Sequence, residues 1–325
     1  MESRQPPTIP PPPGLINALT AGFDVVANHI GVIVLPVLFD VFLWLGPHLN
    51  VFKLLKPGMD DLAAMIPELS ASPDFQFVIE FWQTTNLFST ARTFPIGIFS
   101  LLSFAPLTQS PLGDAIRLDV GSAPGLISWW FGMIVFGWVI GSVYYFWVAR
   151  IALRDGKESS GVIRSIFQSV FLSITWSLLF VAAMIPVFIL FAILALINEA
   201  LVTFAYFLLT MISLWMLVPV FFSVHGIFYK DLNAFASILA AFRIIRSTTG
   251  RMGLFLLTAL IIQLGLGILW SAPRETSWFL LVGILGNAFI STALLAASFI
   301  YYKEQTVWLQ TVWSNMNSRT TSAQA

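Results

Sequence analysis

The sequence predicts an all-α, polytopic membrane protein with six transmembrane helices in three repeated hairpin units, each preceded by an amphipathic interfacial helix. Three observations predict it. Of the 325 residues, 58% are hydrophobic and only 10% charged, whereas an ordinary soluble domain carries about 25% charge. Six apolar stretches reach or approach the roughly 20 residues that a helix needs to cross a bilayer. The cationic residues cluster in alternate connections, as they do when one side faces the cytoplasm.

Composition also excludes several classes of function. The 16 Lys+Arg and 16 Asp+Glu cancel, and mean hydropathy is +0.86. A chain this oily and neutral is neither disordered nor an electrostatic nucleic-acid binder. It has no cysteine, so disulfides, thiolate nucleophiles and Cys-ligated metals are impossible. No HExxH, P-loop or GxSxG motif occurs. No cofactor or bound metal is expected.

Residues 1–14 hold six prolines in the first 13 positions. Proline at that density gives an extended, solvated cytoplasmic tail, and the order of residue types is not that of a secretory signal. The transmembrane domain is expected over 15–303, with spans at 25–46, 126–149, 171–197, 201–228, 252–270 and 278–302. Length selects helix over strand, since buried strands run about 4–8 residues. Residues 304–325 read as a cytoplasmic interfacial tail.

With the N-terminus inside, eleven Lys and Arg fall on the inner side: Arg4, Arg150, Arg154, Lys157, Arg164, Lys230, Arg243, Arg246, Arg251, Lys303 and Arg319. Lys53, Lys56, Arg92, Arg117 and Arg274 fall outside, four of them in one long segment where charge bias loses force. Both termini are therefore expected in the cytoplasm, with the chain in the plasma membrane. Aromatic residues mark the same boundaries. Trp44, Trp129, Trp130, Trp270 and Trp278 stand at outer ends, and Tyr144, Tyr145, Trp147, Tyr229, Tyr301 and Tyr302 at inner ends.

The repeat unit is a short amphipathic helix, a span, an outer connection and a returning span. Its third copy begins at 232–251, where Phe235, Ile238, Leu239, Phe242 and Ile245 share a helical face opposite Arg243 and Arg246. A basic amphipathic segment ahead of a span lies in the membrane surface, which makes Arg164, Arg243, Arg246 and Arg251 candidate lipid contacts. The first copy, 15–31, sets Phe23 and Gly31 at the spacing of Phe242 and Gly250. The second, 161–171, keeps the pattern without the glycine. The first unit also carries an insertion at 47–125. In it Phe75, Val78, Ile79 and Trp82 fall on one helical face. The apolar run 94–105 is too short to span and reads as an interfacial or re-entrant helix.

Polar residues inside spans are costly and so are default functional candidates. Asp40, Asp24, His29, Gln263 and Asn287 form the candidate intramembrane polar set, with His225 near an inner end. Gln263 and Asn287 are placed to hydrogen-bond across the last hairpin. Asp40 follows Pro36 by one turn, where a freed carbonyl and a kink would favour a polar cavity. Pro36, Pro186 and Pro219 are candidate hinges. Gly137 and Gly141 make a small-residue face on the second span that suits close packing.

The text FYKDLNAFASILAAFRIIRSTTGRMGLFLLTAL, from Phe228 to Leu260, resembles bacterial polytopic proteins grouped with the membrane domain of glycerophosphodiester phosphodiesterases. The resemblance covers about 160–303 and consists of a polar turn, an amphipathic helix and a span. It implies a fold, a lipid context and a bacterial plasma membrane as the location. It implies no phosphodiesterase activity, because the catalytic barrel of that family is missing.

The functional reading is a non-enzymatic scaffold or lipid-associated helical bundle, alone or in a larger membrane assembly. Its expected partners are membrane lipids and a protein partner or second copy, and not nucleic acid. One alternative is a transporter or channel for a small or lipidic solute, working through the Pro-kinked helices and Asp40. Another is a lipid-acting enzyme built from Glu80, Arg92, Asp114 and Asp119.

Overall fold

A computed structural model describes residues 11–103, 105, 107–153 and 161–324. Most of the Pro-rich tail, and the inner-loop cations Arg154 and Lys157, lie outside the described residues. In chain order the helices are α1 (Leu15–Asn28), α2 (Val34–Leu45), α3 (Phe52–Met65), α4 (Pro67–Ser70), α5 (Pro73–Thr84), α6 (Ala123–Leu153), α7 (Val162–Ile197), α8 (Glu199–Ser223), α9 (His225–Lys230), α10 (Ala234–Trp270) and α11 (Leu280–Gln324). Short strands β1 (His48–Asn50), β2 (Gln109–Ser110), β3 (Gly113–Asp114) and β4 (Arg117–Asp119) lie between α2 and α6.

Among the described residues five segments are long and apolar enough to cross a membrane: Ala123–Leu153, Val162–Ile197, Glu199–Lys230, Gly250–Trp270 and Leu280–Met316. A sixth exists if the bent pair Leu15–Asn28 and Ile30–Leu45 counts as one span. The stretch 25–46 is thus not one straight helix, and the chain turns by 94° near its start. His29 leaves helical geometry at φ −134°, ψ 51°, and a 3-10 turn, Ile30–Ile33, precedes α2. Pro36 explains the position of this break. Its ring would clash with the carbonyl four residues back, which belongs to Val32 inside that turn. Pro36 itself then sits in the first turn of α2, where its missing N–H costs nothing. It stands just after the break and does not kink a helix around itself.

A second break falls in α10. Thr248 is non-helical at φ −136°, ψ 21°, and it separates the basic amphipathic stretch from the span Gly250–Trp270. No comparable break interrupts α7. Pro186 and Pro219 lie inside the continuous helices α7 and α8. After 303 the chain stays helical, with α11 running on to Gln324.

The chain divides into two compact units. One comprises the chain up to His29 with Phe146–Leu260 and 293 onward. In it α1 docks on α11 through Gly22, where an added Cβ would lie 2.6 Å from the Ala293 carbonyl. His225 is wholly buried, its Nε2 2.8 Å from Ser298 Oγ. Phe222, Phe299 and Tyr302 pack around its ring. This residue is a packed core histidine and not the interfacial group the sequence suggests. Tyr301 and Tyr302 are likewise buried, so they serve packing and not a headgroup belt.

The other unit comprises Ile30–Tyr145 and Ile261–Thr292. Here 94–105 is not helical in its described residues. Pro95, Ile96, Gly97 and Ile98 are buried as irregular chain against α6. A Cβ on Gly141 would stand 2.7 Å from Gly97 Cα, and one on Gly137 would collide with the Ala91 carbonyl. The small-residue face of α6 therefore receives irregular chain and the end of a 3-10 turn in place of another long helix. Irregular backbone in a membrane protein must satisfy its polar groups within the protein. Thr93 Oγ1 donates to the Ile96 carbonyl at 2.6 Å, and Tyr145 Oη to the Pro95 carbonyl at 3.3 Å.

Candidate functional site

The insertion is held by a few polar side chains that act on backbone. β1 pairs with β4 in parallel, with His48, Leu49 and Asn50 opposite Arg117, Leu118 and Asp119. Parallel pairing of strands this far apart in sequence needs support from outside the ladder. Asn50 supplies part of it. Its Nδ2 lies 3.0–3.1 Å from the carbonyls of Trp82, Gln83 and Thr85 at the end of α5, and its Oδ1 accepts from Phe52 N at 2.7 Å. Asn86 Oδ1 accepts from Leu49 N and from Phe88 N, each at 3.1 Å. Leu49, Val51, Leu87 and Val120 close a small apolar core around these bonds.

Asp40 anchors the irregular segment. It is fully buried in α2, and its carboxylate accepts from Ser100 Oγ, from Leu101 N at 2.9 Å and from Leu102 N at 3.2 Å. A carboxylate with both oxygens engaged by fixed donors is a structural clamp, since hydrogen bonds to charged groups are the stronger ones. The neighbouring Leu43, Trp44, Leu102, Leu107, Leu280 and Ile284 form one buried cluster. Glu275, in the connection after α10, makes a second clasp. Its carboxylate accepts from Thr108 N and Thr108 Oγ1 at 3.1 Å each, and its backbone carbonyl accepts from Trp44 Nε1 at 2.7 Å.

Between these anchors lies a cavity of about 600 Å³. Its walls are largely apolar: Leu43 from α2, Val51 and Leu55 beside β1, Phe81 and Trp82 from α5, and Leu126, Ile127 and Trp130 from α6. The polar groups on its lining include Arg92, Asn86 and Ser103. Asn86 Nδ2 and Ser103 Oγ are buried without a hydrogen-bond partner. Burial pushes the Arg92 guanidinium below its ordinary pKa, and the nearby Asp40 carboxylate opposes that. A guanidinium keeps its charge through any such shift, so the cavity contains a cation. Largely apolar walls with a few polar residues are the usual make-up of a small-molecule site.

The structure does not gather the candidate intramembrane polar set into one site. Asp24 is exposed on α1. His29 is half-buried, with Nδ1 3.0 Å from the Val25 carbonyl. Gln263 Nε2 does donate to Asn287 Oδ1 at 2.8 Å, while Gln263 Oε1 and Asn287 Nδ2 stay unpaired. Among the cations, Arg243 and Arg246 are exposed on α10. Arg164 Nη2 donates to the Asp231 carbonyl at 3.0 Å. Arg251 lies 4.9 Å over the Trp308 ring.

Of the residues considered for an outer enzyme, Glu80 and Asp114 are exposed, and Asp119 pairs with Lys53. Arg92 alone of the four lines the cavity. Among the described residues no group of three or more His, Asp or Glu could hold a metal ion. Sequence reasoning missed Asn50, Asn86, Ser100, Ser103 and Glu275. Asn86 could have been found, because an Asn ahead of a turn caps nearby N–H groups. The bonds from Asn50 Nδ2 and to the Glu275 carboxylate reach 32 or more residues along the chain and leave no local signal, whereas the bond from Phe52 N to Asn50 Oδ1 is local. Comparison with protein-family models, with curated proteins and with solved structures gave no match.

Proposed function

We propose that this chain is a lipid-associated scaffold of the bacterial plasma membrane that performs no chemistry of its own, with both termini cytoplasmic. The bundle is built from three hairpin units, each led by a surface helix. A family relationship to the membrane domain of glycerophosphodiester phosphodiesterases remains part of this proposal. The observation that carries the reading is the apolar cavity of about 600 Å³ in the insertion. Its size falls in the range of small-molecule sites, and two of its wall residues, Ile127 and Trp130, are exposed on the spanning helix α6. The Asp40 clamp supports the same reading, because a carboxylate already occupied by three donors serves to hold the cap in place. The repeat is supported by the two helix breaks, since His29 and Thr248 share an extended φ near −135° and keep the spacing of Phe23 and Phe242.

The test is native mass spectrometry of the protein released from lipid nanodiscs. Adducts of phospholipid mass that survive mild activation are expected. Bare polypeptide in every charge state, under conditions that keep the protein folded, overturns the reading.

A further inference from the structure

The first half of α10 exposes a face whose polarity changes along the helix and not around it. We propose that this face holds one anionic phospholipid lengthwise, with its phosphate between Arg243 and Arg246 and an acyl chain over Leu239, Phe235 and Phe171. This deepens the lipid-associated reading above and rests on it, through residues other than those of the cavity.

The face follows from spacing. Phe235, Leu239, Arg243 and Arg246 stand four, four and three residues apart, so all four share one side of a helix. On the opposite side Ser237, Ala241, Ile244 and Thr248 are buried. Phe235 is 63% and Leu239 51% exposed, and Arg243 and Arg246 are exposed with them. The sequence sets the apolar residues of this stretch opposite the arginines, as a helix lying flat in an interface requires. In the structure Ile245 is buried instead, and the apolar residues left outside share their side with the cations. A face sorted along its axis matches an amphiphile laid beside it. From Phe235 to Arg246 it runs about 16 Å at 1.5 Å per residue, close to the roughly 15 Å of hydrocarbon in one leaflet. Two guanidiniums one turn apart suit a phosphodiester, whose oxygens accept from their planar forks.

Both ends of the face adjoin segments able to span. The cationic end is followed by the break at Thr248 and then by Gly250–Trp270. Arginine at the end of a span meets lipid phosphates. The apolar end touches α7. The Phe235 ring lies 5.5 Å from the Phe171 ring, edge to face, and Ala234 N donates to Gln168 Oε1 at 2.9 Å. Phe171 is itself 45% exposed on a helix long and apolar enough to cross the membrane. Ile174 and Leu178 continue its exposed stripe at helical spacing. The apolar end is thus continuous with a surface that acyl chains cover. A soluble acidic segment would match the arginines and leave Phe235 and Leu239 uncovered. A neutral lipid would match those two and leave the arginines without a counter-charge.

The chain has no cysteine, so a single one can be introduced and labelled without competition. The test attaches a bimane fluorophore at Ala240→Cys, half-buried beside this face, with Ser247→Cys, exposed at its cationic end, as a second label site. The full-length protein is placed in phosphatidylcholine nanodiscs containing either phosphatidylglycerol or phosphatidylcholine with a nitroxide on its acyl chain. Nitroxide phosphatidylglycerol is expected to reach half-maximal quenching at a mole fraction at least about fivefold lower, since each arginine near a membrane surface contributes a factor of that order. The preference should fall in Arg243→Gln and vanish when Arg246→Gln is added. Both side chains are exposed, so these variants should fold. Equal quenching by the two lipids overturns the proposal, and so does an undiminished preference in the double variant. Quenching by a water-soluble nickel chelate, with none from either lipid, overturns it in favour of a soluble partner. Each of these failures leaves the broader reading standing if wild-type protein still retains phospholipid adducts in native mass spectrometry. Absence of every adduct removes that reading as well.

Discussion

Asp40 and His48 show what single polar residues do in this protein. Asp40 sits in an apolar helix, which at first suggests transport. Its partners are two backbone amides and a serine hydroxyl on a segment 60 residues away in sequence. Asp40→Asn would replace one accepting oxygen with an amide NH2 and set it against the N–H of Leu101 or Leu102. A loss of about 1–3 kcal/mol is expected, read as a lower unfolding midpoint in detergent, with increased hydrogen exchange confined to the segment around Leu101. Any solute flux the protein supports should persist in that variant if Asp40 is a clamp. Abolished flux with unchanged stability would make Asp40 a transport residue.

His48 responds to acid. Burial lowers its pKa below the ordinary value, the Leu43 carbonyl opposes this, Arg117 adds to the lowering and Glu275 opposes it. Its Nε2 lies 3.2 Å from the Leu43 carbonyl. The unfolded chain therefore binds a proton that the folded protein resists. The stabilising contribution of neutral His48 is complete above about pH 6.5 and declines as pH falls toward the lower folded value. Amides of β1 and β4 are expected to exchange faster, relative to the intrinsic rate, at pH 5.5 than at 7.5. His48→Gln should flatten that difference, and an equal difference in the variant would assign the effect elsewhere.

At the scale of elements, glycine spacing and helix breaks decide the packing. Gly141 lets the backbone at Gly97 approach α6, and a Cβ there would overlap main chain that cannot swing aside. Gly141→Ala is expected to cost about 1–3 kcal/mol as overpacking. Gly132→Ala, on the same helix with nothing within 4 Å of the new carbon, should leave the unfolding midpoint unchanged or slightly raised. Equal effects would mean that the Gly141 contact carries no weight. The close-packing face of α6 was legible in the sequence, but its partner was not. A glycine pair reports that something comes near. Whether that something is a helix or a loop depends on residues 40 or more positions away. The run 94–105 was misjudged for a related reason. Its apolar content indicates burial, while its backbone geometry is set by Asp40, Thr93 and Tyr145, none of which announces itself by local periodicity. By contrast, the helical character of the basic stretch ahead of Gly250–Trp270 was readable, because its apolar residues and cations recur at helical spacing, while the break at Thr248 left no signal.

At the scale of the whole molecule, the number of crossings is the central quantity. Among the described residues five segments meet the length and polarity needed to span, and the bent pair at the start makes a sixth if it crosses as a unit. Six crossings put both ends of the chain on one side. Tags at the two termini are expected to show the same accessibility to a membrane-impermeant reagent applied to intact cells, with both protected. Opposite accessibility would mean that α1 and α2 together enter the bilayer and do not traverse it. The orientation read from eleven inner cations against five outer ones would then hold only for the segments after α6.

What the amino-acid order determined by itself was the solvent. So high an apolar fraction, carried in runs of about 20 residues, can be accommodated only by helices in hydrocarbon, because no other open backbone arrangement satisfies its own hydrogen bonds there. The same order also marked the Gln263–Asn287 contact, which follows from polarity at matching depth. Only the tertiary structure decided where the insertion goes, what Asp40 holds and that Arg92 faces an apolar cavity. Those features rest on contacts between residues far apart in the chain, and such contacts are made by side chains that satisfy someone else's backbone, a pairing that no local pattern encodes.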